Sequence, residues 1–419
     1  IFFFYRFSFH GHWLVCHEIF RLFIPESALL VEYVHRWEWP LWNPYERMGQ
    51  PFAASMQAQV FYPPRVLVVA LFGPVVGMTA LHLVHVAIAA LGVTRLMSGW
   101  VTRWQVAWVA GAFFGLSPMM TSLSPQQNVV DAAAWTGFLL AALVRGQWRH
   151  YALFLALSLL AASPETTLWQ LFLAACLRRW NWRFVVSSGL GFGVAAIMLV
   201  PAAELTRQSI RFAEKINPGD WSLSWPQVVA SFWPEFDRPR EHYLLGDDQW
   251  FIPQLFLGTL CVLLALVGAV RGRRELRPLA LGGLALLVFS LGKNFAPTDW
   301  LLTLRPFNLF RFPAKAYVGF AFCVAVFAGL GIEVLIRASR RIHLAPRWAL
   351  GIVASVLVVR VATFPLFRAP LVRAGAEVWP LWPLLALAAG PLLLALVPPV
   401  ARRSTVCGWA LCAACLVEL

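Results

Sequence analysis

The sequence predicts an all-α protein that crosses a membrane many times. Of its 419 residues, 60% are hydrophobic and only 13% are charged, and the mean hydropathy is +0.68. Long apolar runs recur along the chain, which is typical of polytopic helical membrane proteins. Because lipid offers the backbone no hydrogen-bond partner, these runs must form helices.

The apolar runs define the candidate spans. They are predicted at residues 75–97, 104–122, 129–144, 149–163, 166–177, 184–203, 252–270, 278–292, 316–336, 348–364, 379–399 and 405–419. Since the chain begins and ends in apolar sequence, we expect a fragment of a protein with about 12–13 transmembrane helices. The run 151–177 contains Pro164, which permits one kinked span or a hairpin of two short helices. The hairpin is favoured, because a single span would separate Arg149 from Arg178 across the membrane.

The connections between spans alternate in charge. Short basic turns hold about half of the 34 Lys and Arg residues, and the positive-inside rule places these turns in the cytoplasm. The longer loops 5–64, 204–250 and 293–315 are then extracytoplasmic, and residues 1–419 are predicted to form one transmembrane domain. The net charge of +14 therefore reflects topology and gives no support for nucleic-acid binding.

Several kinds of site have no signal in the sequence. The chain has no P-loop, no dinucleotide fingerprint and no Gly-x-Ser-x-Gly elbow, and its seven cysteines lack the spacing of metal ligands. His82 and His85 stand three residues apart in a predicted span and could bind a metal. With no acid or cysteine beside them in the sequence, a hydrogen bond between helices is the favoured interpretation.

The first extracytoplasmic loop contains the most unusual stretch, WNPYERMGQPFAASMQAQVFYPP at residues 42–64. Its Trp42, Tyr45, Phe61 and Tyr62 are aromatic side chains of the kind that lie at the membrane–water interface. Its amides, Asn43 and Gln57 among them, could donate to and accept from sugar hydroxyls. A structural lid is the alternative, and it is favoured for the prolines and most of the aromatic residues.

Residues 17–64 resemble the first extracytoplasmic loop of the YfhO-like bacterial membrane proteins, which belong to the GT-C glycosyltransferase superfamily. The resemblance lies in His17-Glu18, Pro25, PLWNP (40–44), Gly49/Pro51 and FYPP (61–64). Further segments resemble the family in the same order along the chain, namely SPETT (163–167), PAAELTRQSIR (201–211) and the stretch from Leu309 to Leu335.

The resemblance implies a GT-C-like helical fold and a glycosyltransferase of the hexosyltransferase class. Such an enzyme would move a sugar from a polyprenyl-phosphate donor to an extracytoplasmic glycan, lipid-linked polymer or similar acceptor. It would lie in the bacterial inner (cytoplasmic) membrane with its active site facing outward, and a divalent metal is compatible with it. The alternatives are a lipid-linked-sugar flippase and a non-catalytic protein of cell-envelope assembly. A transporter is expected to show two repeated halves with broken helices, and the sequence shows no such repeat.

The resemblance also implies the catalytic residue. GT-C enzymes carry an essential acid in the first extracytoplasmic loop, and Glu18 stands at that position, although related sequences usually have Asp there. We expect Glu18 to deprotonate the acceptor, with His17 and Arg21 setting its charge and orientation. An ordinary ion pair with Arg21 is the alternative.

The remaining candidates are substrate-binding residues. Arg311 and Lys315 flank Pro313 just before a span, where they could bind the donor phosphate, the alternative being side chains that reach to the membrane surface. Glu165 follows Pro164 and could instead stabilise a helix start. Arg211 could instead take part in a local ion-pair ladder with Glu204. Together with Trp42, Asn43, Tyr45 and Gln57, these residues complete the predicted site.

Overall fold

The computed structural model describes residues 18–46, 48–177, 181–208, 219–232, 252, 254–304, 307 and 312–341. Within these residues almost all regular structure is helical. The strands that they contain are Trp42–Asn43 (β1) and Gln50–Pro51 (β2), which pair antiparallel in one short hairpin. The predicted all-α class is therefore confirmed.

The described residues form a series of α-helices. In chain order they are α1 Ile24–Arg36, α2 Pro63–Phe72, α3 Pro74–Met97, α4 Trp104–Gly115, α5 Pro118–Ser122, α6 Gln127–Ala134, α7 Thr136–Val144, α8 Trp148–Leu160, α9 Pro164–Cys176, α10 Trp182–Arg207, α11 Trp225–Ala230, α12 Thr259–Arg271, α13 Arg277–Ser290, α14 Ala296–Leu302 and α15 Ala316–Arg341.

Among the described residues, four helical segments are long and apolar enough to cross a membrane. They are Pro74–Met97, Ser124–Val144, Trp182–Arg207 and Pro313–Arg337, and they agree with the predicted spans 75–97, 129–144, 184–203 and 316–336. Pro63–Phe72 and Thr259–Arg271 are shorter apolar helices. This pattern confirms a polytopic helical chain, while the spans predicted at 348–364, 379–399 and 405–419 lie outside the described residues.

The predicted span 104–122 is broken in the structure. Helix α4 ends at Gly115, and the Ser117 hydroxyl donates to the Phe114 carbonyl at 2.8 Å. Pro118 then begins α5, at a position where the missing proline N–H costs nothing. The break was not predicted, because the composition of this stretch is mostly apolar.

Residues 151–177 form two helices, as the hairpin interpretation predicted. A turn that includes Ala162 at φ 64° separates α8 from α9. The Ser158 hydroxyl donates to Gln170 Oε1 at 2.7 Å, although residues twelve apart in one helix would lie about 18 Å apart. The chain therefore folds back on itself between them.

Residues 18–36, within the loop predicted at 5–64, form helices that were not predicted. A π-helix covers Ile19–Phe23 and continues directly into α1. Pro25 lies in the first turn of α1, where proline is favoured. Between Trp37 and Tyr62 the chain is largely irregular.

The chain packs into two compact units. The first comprises Ile1–Gly92 and Met120–Pro218, and the second comprises Val93–Met119 and Gly219–Leu419. The core of the first unit joins α1, the segment 52–60, α2 and α3 through buried side chains such as Phe23, Phe52 and Leu81.

In the second unit, helices α12 and α15 cross with their backbones in contact. A Cβ atom added to Gly268 would overlap the backbone of Phe327, and one added to Gly331 would overlap that of Leu264. Small residues of this kind let helices in a membrane approach closely.

Candidate functional site

A buried arginine organises the first unit. Arg65, in the first turn of α2, is 0% exposed, and its Nη1 donates to the Gln57 carbonyl at 2.8 Å and to Gln59 Oε1 at 3.0 Å. Its Nη2 donates to the Phe23 carbonyl at 3.1 Å and to the Ser27 hydroxyl at 3.0 Å. The planar guanidinium can donate in several fixed directions at once. Arg65 therefore joins the end of the π-helix, α1 and the loop before α2, and we call this arrangement the Arg65 clamp.

The clamp has an acidic neighbour, Glu26. Its Oε2 lies 3.9 Å from Arg65 Nη2, and both side chains are buried. Within the described part of the chain, this oxygen has no hydrogen-bond partner. Burial raises the pKa of Glu26 to about 7, against the opposing effect of the positive charge on Arg65. Near neutral pH the carboxyl is therefore present in both its protonated and its ionised form.

Gln59 connects the clamp to a buried aspartate. Its Nε2 donates to Asp131 Oδ2 at 3.1 Å and to the Ala161 carbonyl at 2.7 Å. Asp131 Oδ1 accepts from Gln127 Nε2 at 2.6 Å and lies 3.2 Å from His85 Nδ1. Asp131 is 0% exposed, and a buried carboxylate requires such donors.

His85 links Asp131 to two aromatic side chains, Tyr62 and Trp135. Its Nε2 lies 2.5 Å from the Tyr62 hydroxyl, which accepts from Trp135 Nε1 at 2.8 Å. The Tyr62 hydroxyl therefore donates to Nε2, while Nδ1 faces both Asp131 and the Leu81 carbonyl, 2.8 Å away. This pattern matches the neutral tautomer with its proton on Nδ1.

The interpretation of His82 and His85 as helix-to-helix hydrogen-bonding residues is confirmed, with one correction. His82 Nδ1 lies 3.0 Å from Gln127 Oε1 on α6, but an acid does lie beside His85, namely Asp131. The sequence analysis missed it because the two residues are far apart along the chain. The described residues contain no group of three or more His, Cys, Asp or Glu that could hold a metal ion.

The predicted base Glu18 is half-buried and directly precedes the π-helix Ile19–Phe23. The far end of that π-helix is the Phe23 carbonyl, which Arg65 binds. Arg21 is exposed, and His17 lies outside the described residues. The structure thus ties the turn that follows Glu18 to the Arg65 clamp.

The predicted sugar-binding aromatic residues lie on the β-hairpin. Trp42 is 49% exposed and Tyr45 is 78% exposed. Asn43, by contrast, is buried, and its Oδ1 accepts from the Tyr45 N–H at 3.0 Å, which is a turn-forming role. Tyr45 also lines a pocket of about 90 Å³, together with Tyr33, Leu29, Glu32, Arg36, Glu38 and Pro44.

The other predicted residues have separate locations. The Gln57 side chain is exposed while its carbonyl binds Arg65. Glu165 is half-buried in the first turn of α9, where a carboxylate is favoured at a helix start. Lys315 belongs to the second unit, and its Nζ lies 5.5 Å from the centre of the Phe312 ring. Arg211 and Arg311 lie outside the described residues.

Sequence reasoning missed the most highly connected group, formed by Arg65, Gln59 and Asp131. A signal for it was present, because ionisable residues inside or beside apolar runs are rare and have a specific partner or role. Their partners could not be read from the sequence.

Comparison with known proteins identifies no family for this chain. No family model matches the chain, and no curated protein matches it. Two crystal structures of ArnT from Cupriavidus metallidurans are similar to it. The one bound to undecaprenyl phosphate is 16% identical, with 99% of this chain and 74% of that chain covered and a TM-score of 0.49. The apo structure is 14% identical, with 97% and 72% covered and a TM-score of 0.49. These values assign neither a family nor a function to this chain.

Proposed function

We propose that the chain is a GT-C-type membrane glycosyltransferase that uses a polyprenyl-phosphate sugar as its donor and an extracytoplasmic hydroxyl as its acceptor. One observation carries the proposal. The π-helix that follows Glu18 and the segment that contains Gln57 are bound to one guanidinium, that of Arg65. An acid and a polar segment implicated by the motif resemblance are thus held together on an apolar helical unit.

The proposed reaction is a displacement at the anomeric carbon. The acceptor oxygen bonds to that carbon, and its proton passes to the Glu18 carboxylate. The bond between the anomeric carbon and the phosphate oxygen breaks, and the polyprenyl phosphate leaves with the electron pair. Lys315, with Arg311, would stabilise the negative charge that develops on the leaving phosphate.

The β-hairpin would hold the sugar. The exposed rings of Trp42 and Tyr45 can pack against the apolar face of a pyranose, and the neighbouring pocket supplies the carboxylates of Glu32 and Glu38 as acceptors for hydroxyls. Gln57, also exposed, is a further donor and acceptor. Asn43 would contribute by shaping the turn.

One observation favours a second function, translocation of a lipid-linked sugar. Asp131 and His85 form a buried pair within two apolar segments, and transporters place ionisable groups there. Both residues, however, are 0% exposed and fully engaged in hydrogen bonds, as expected for a structural pair. Transfer therefore remains the proposal.

The test is an incubation of the purified protein in lipid nanodiscs with a panel of radiolabelled polyprenyl-phosphate sugars and cell-envelope glycan acceptors. We expect transfer by the wild type and a loss of about 10²–10⁴-fold in Glu18→Gln, which keeps the shape of the side chain but removes the base. Glu32→Gln is a poor control because Glu32 lines the pocket, so Glu275→Gln, in a basic turn of the second unit, is used instead.

The other outcomes separate the alternatives. Transfer by Glu18→Gln at the wild-type rate would show that another residue is the base. Asp131 and Glu165 would be the next residues to replace. Movement of the labelled lipid across proteoliposomes without transfer would support a flippase. Neither activity with any donor in the panel would support a non-catalytic assembly protein.

A further inference from the structure

The indole of Trp42 packs against the backbone of Gly49, across the β-hairpin. A Cβ atom added to Gly49 would lie 2.6 Å from Cζ2 of that ring and 2.9 Å from both Cε2 and Nε1, which is closer than non-bonded atoms pack. Gly49 also has φ 106°, a conformation that favours glycine. The Trp42 ring can therefore occupy this place only because residue 49 has no side chain.

The backbone of Trp42 is fixed as well. The Tyr33 hydroxyl donates to the Trp42 carbonyl at 2.7 Å, and the Tyr33 ring stacks on Phe52, with centroids 6.4 Å apart. Phe52 is buried in the core of the first unit, and its N–H donates to the Leu41 carbonyl at 2.8 Å. Trp42 is thus tied to the buried core, although 49% of it is exposed.

A ring that is both fixed and exposed is suited to recognition. An exposed side chain usually changes rotamer freely, and a ligand that orders it loses part of its affinity to that ordering. The contact with Gly49 and the hydrogen bond from Tyr33 already restrict the Trp42 ring before any ligand is bound. A ligand that packs on the exposed part of the ring therefore meets a surface already in place.

A cavity with a polar lining lies at the same hairpin. The cavity, of about 90 Å³, is lined by Tyr33, whose hydroxyl binds the Trp42 carbonyl, and by Tyr45, three residues after Trp42. Its charged lining residues can accept from or donate to hydroxyl groups, and they are Glu32, Arg36 and Glu38. A pyranose has an apolar face of C–H bonds and a rim of hydroxyls. An exposed indole next to a polar cavity offers a partner for each of these two surfaces.

We propose that Gly49 is a positioning residue that holds the Trp42 indole where it stacks on the sugar ring of the lipid-linked donor. Gly49 does not itself contact the sugar. It acts by leaving room for the indole, and the Tyr33 hydroxyl acts with it by fixing the Trp42 carbonyl. The inference rests on the proposed function, because that function supplies the sugar.

The experiment separates the sugar from the lipid phosphate. For the protein in nanodiscs, the Kd of radiolabelled undecaprenyl phosphate is divided by the Kd of undecaprenyl phosphate that carries glucose, galactose, mannose or N-acetylglucosamine. This ratio measures what the sugar adds to binding, and we call it the sugar ratio. We expect a sugar ratio above one in the wild type.

The sugar ratio should fall about three- to tenfold in both Gly49→Ala and Trp42→Ala, because each variant removes the stacked indole. The Kd of undecaprenyl phosphate itself should stay within about twofold of the wild type in both, since the indole does not bind the phosphate. The double variant should match Trp42→Ala alone, because two residues that act through one contact are not additive.

The matched control is Gly73→Ala in the same unit. Gly73 has φ 75°, so alanine is unfavourable there too, but a Cβ atom added to it has nothing within 4 Å. Gly73→Ala should lower the Tm and keep the wild-type sugar ratio. A general loss of structure would appear in both glycine variants, whereas displacement of the indole appears only in Gly49→Ala.

The possible failures are distinguishable. A wild-type sugar ratio in Gly49→Ala would overturn the positioning role. An equal loss of affinity for undecaprenyl phosphate and its sugar conjugates in Trp42→Ala would show that the indole binds lipid and not sugar. A wild type that transfers sugar with a sugar ratio of one would overturn the inference while the proposed function stands. A wild type that neither binds these lipids nor transfers sugar would overturn the function, and the inference with it.

A second variant keeps the test open should Gly49→Ala fail to fold. Tyr33→Phe removes the hydroxyl that holds the Trp42 carbonyl and keeps the ring that stacks on Phe52. It should lower the sugar ratio about two- to threefold through the lost hydrogen bond, with the Kd of undecaprenyl phosphate unchanged. An unchanged sugar ratio in Tyr33→Phe would contradict the positioning of Trp42.

Discussion

Arg65, in the first unit, and Lys315, in the second unit, are held in place by different kinds of contact. Arg65 is 0% exposed and makes four hydrogen bonds to groups of the protein. Lys315 is half-buried and lies over a ring whose own backbone is left-handed. The four hydrogen bonds of Arg65 join segments of the first unit and stabilise its fold, whereas the contact described for Lys315 is with a ring.

The first prediction tests the membrane topology that the basic turns indicate. Gln57→Cys and Asp299→Cys, both at exposed positions, should react with an impermeant maleimide in intact cells, because loops 5–64 and 293–315 are predicted to be extracytoplasmic. Arg273→Cys, in a basic turn, should react only after permeabilisation. The effect is all-or-none, and the protein without an introduced cysteine gives the background.

Protection at either position in intact cells would contradict the predicted extracytoplasmic location of the loop that contains it. Ser222 and Thr298 are unsuitable labelling positions, since both are buried and hydrogen-bonded.

The largest stability effect should come from the clamp. Arg65→Ala leaves Gln59 Oε1 and the Phe23 carbonyl without their donor and leaves Glu26 without its counter-charge, so the free energy of unfolding should fall by about 3–5 kcal/mol. Thermal unfolding in detergent would show it as a lowered Tm. Arg36 is the matched control: it pairs with Glu32 at 2.6 Å but is 61% exposed, so Arg36→Ala should cost only about 0.3–0.5 kcal/mol.

An equal loss in both variants would show that burial and hydrogen bonding do not set the contribution of these arginines to stability. Arg65 would then stabilise the fold no more than Arg36 does, and its contrast with Lys315 would disappear.

Glu26 should make the clamp sensitive to pH. Burial raises the pKa of Glu26 from 4.5 to about 7, so the folded state binds its proton more tightly than the unfolded state does. The stability due to this proton is fully present below pH 4.5 and is lost as the pH rises to about 7, by roughly 3 kcal/mol at most. Glu26→Gln should therefore flatten the dependence of Tm on pH in this window and raise Tm above pH 7.

Glu38→Gln, in an exposed residue beyond the end of α1, serves as the control and should leave that pH dependence in place. The groups that face Glu26 are Arg65, Glu46 and the Ser55 hydroxyl. An unchanged pH profile in Glu26→Gln would mean that one of these, or another group, titrates instead.

The smallest expected effect concerns Trp221, whose ring stacks on the Phe312 ring. Glycine accepts the φ of 56° at Trp221 without strain, so Trp221→Gly should be more stable than Trp221→Ala by about 1 kcal/mol. At Trp225, in the first turn of α11, the order should reverse, because glycine destabilises a helix by about 0.5–1 kcal/mol relative to alanine. The Tm values of the four variants measure both differences. The same order at both positions would show that the left-handed backbone at Trp221 stores no strain.

The sequence predicted the parts of the fold that depend on local composition. Apolar runs gave the long helices such as Pro74–Met97, and Pro164 marked the break between α8 and α9. The broken helix at Ser117 was missed, because a hydroxyl that bonds to a nearby carbonyl does not change the hydropathy of a run. The helix α1 was missed because residues 5–64 were predicted to be a loop between membrane spans.

The candidate site was predicted less well, for a physical reason. Gln59 and Asp131 are 72 residues apart, and the periodicity of a helix shows which face is buried but not what it meets. The positive φ angles of Trp221 and Phe312 could not be predicted either, because a sequence indicates a positive φ only at glycine or asparagine. Glu18, Trp42 and Lys315 were included in the predicted site because of the motif resemblance, and their roles stay predictions.

The Arg65 clamp has a further consequence for how the chain is made. Every acceptor of Arg65 precedes it in the sequence, at Phe23, Ser27, Gln57 and Gln59. The donors to Asp131 likewise come from Gln59, His85 and Gln127. A ribosome synthesises the chain from its amino end, and early segments can fold while later ones are still being made. Each buried charge thus emerges after all of these partners, and the growing protein can neutralise it without waiting for residues still to be translated.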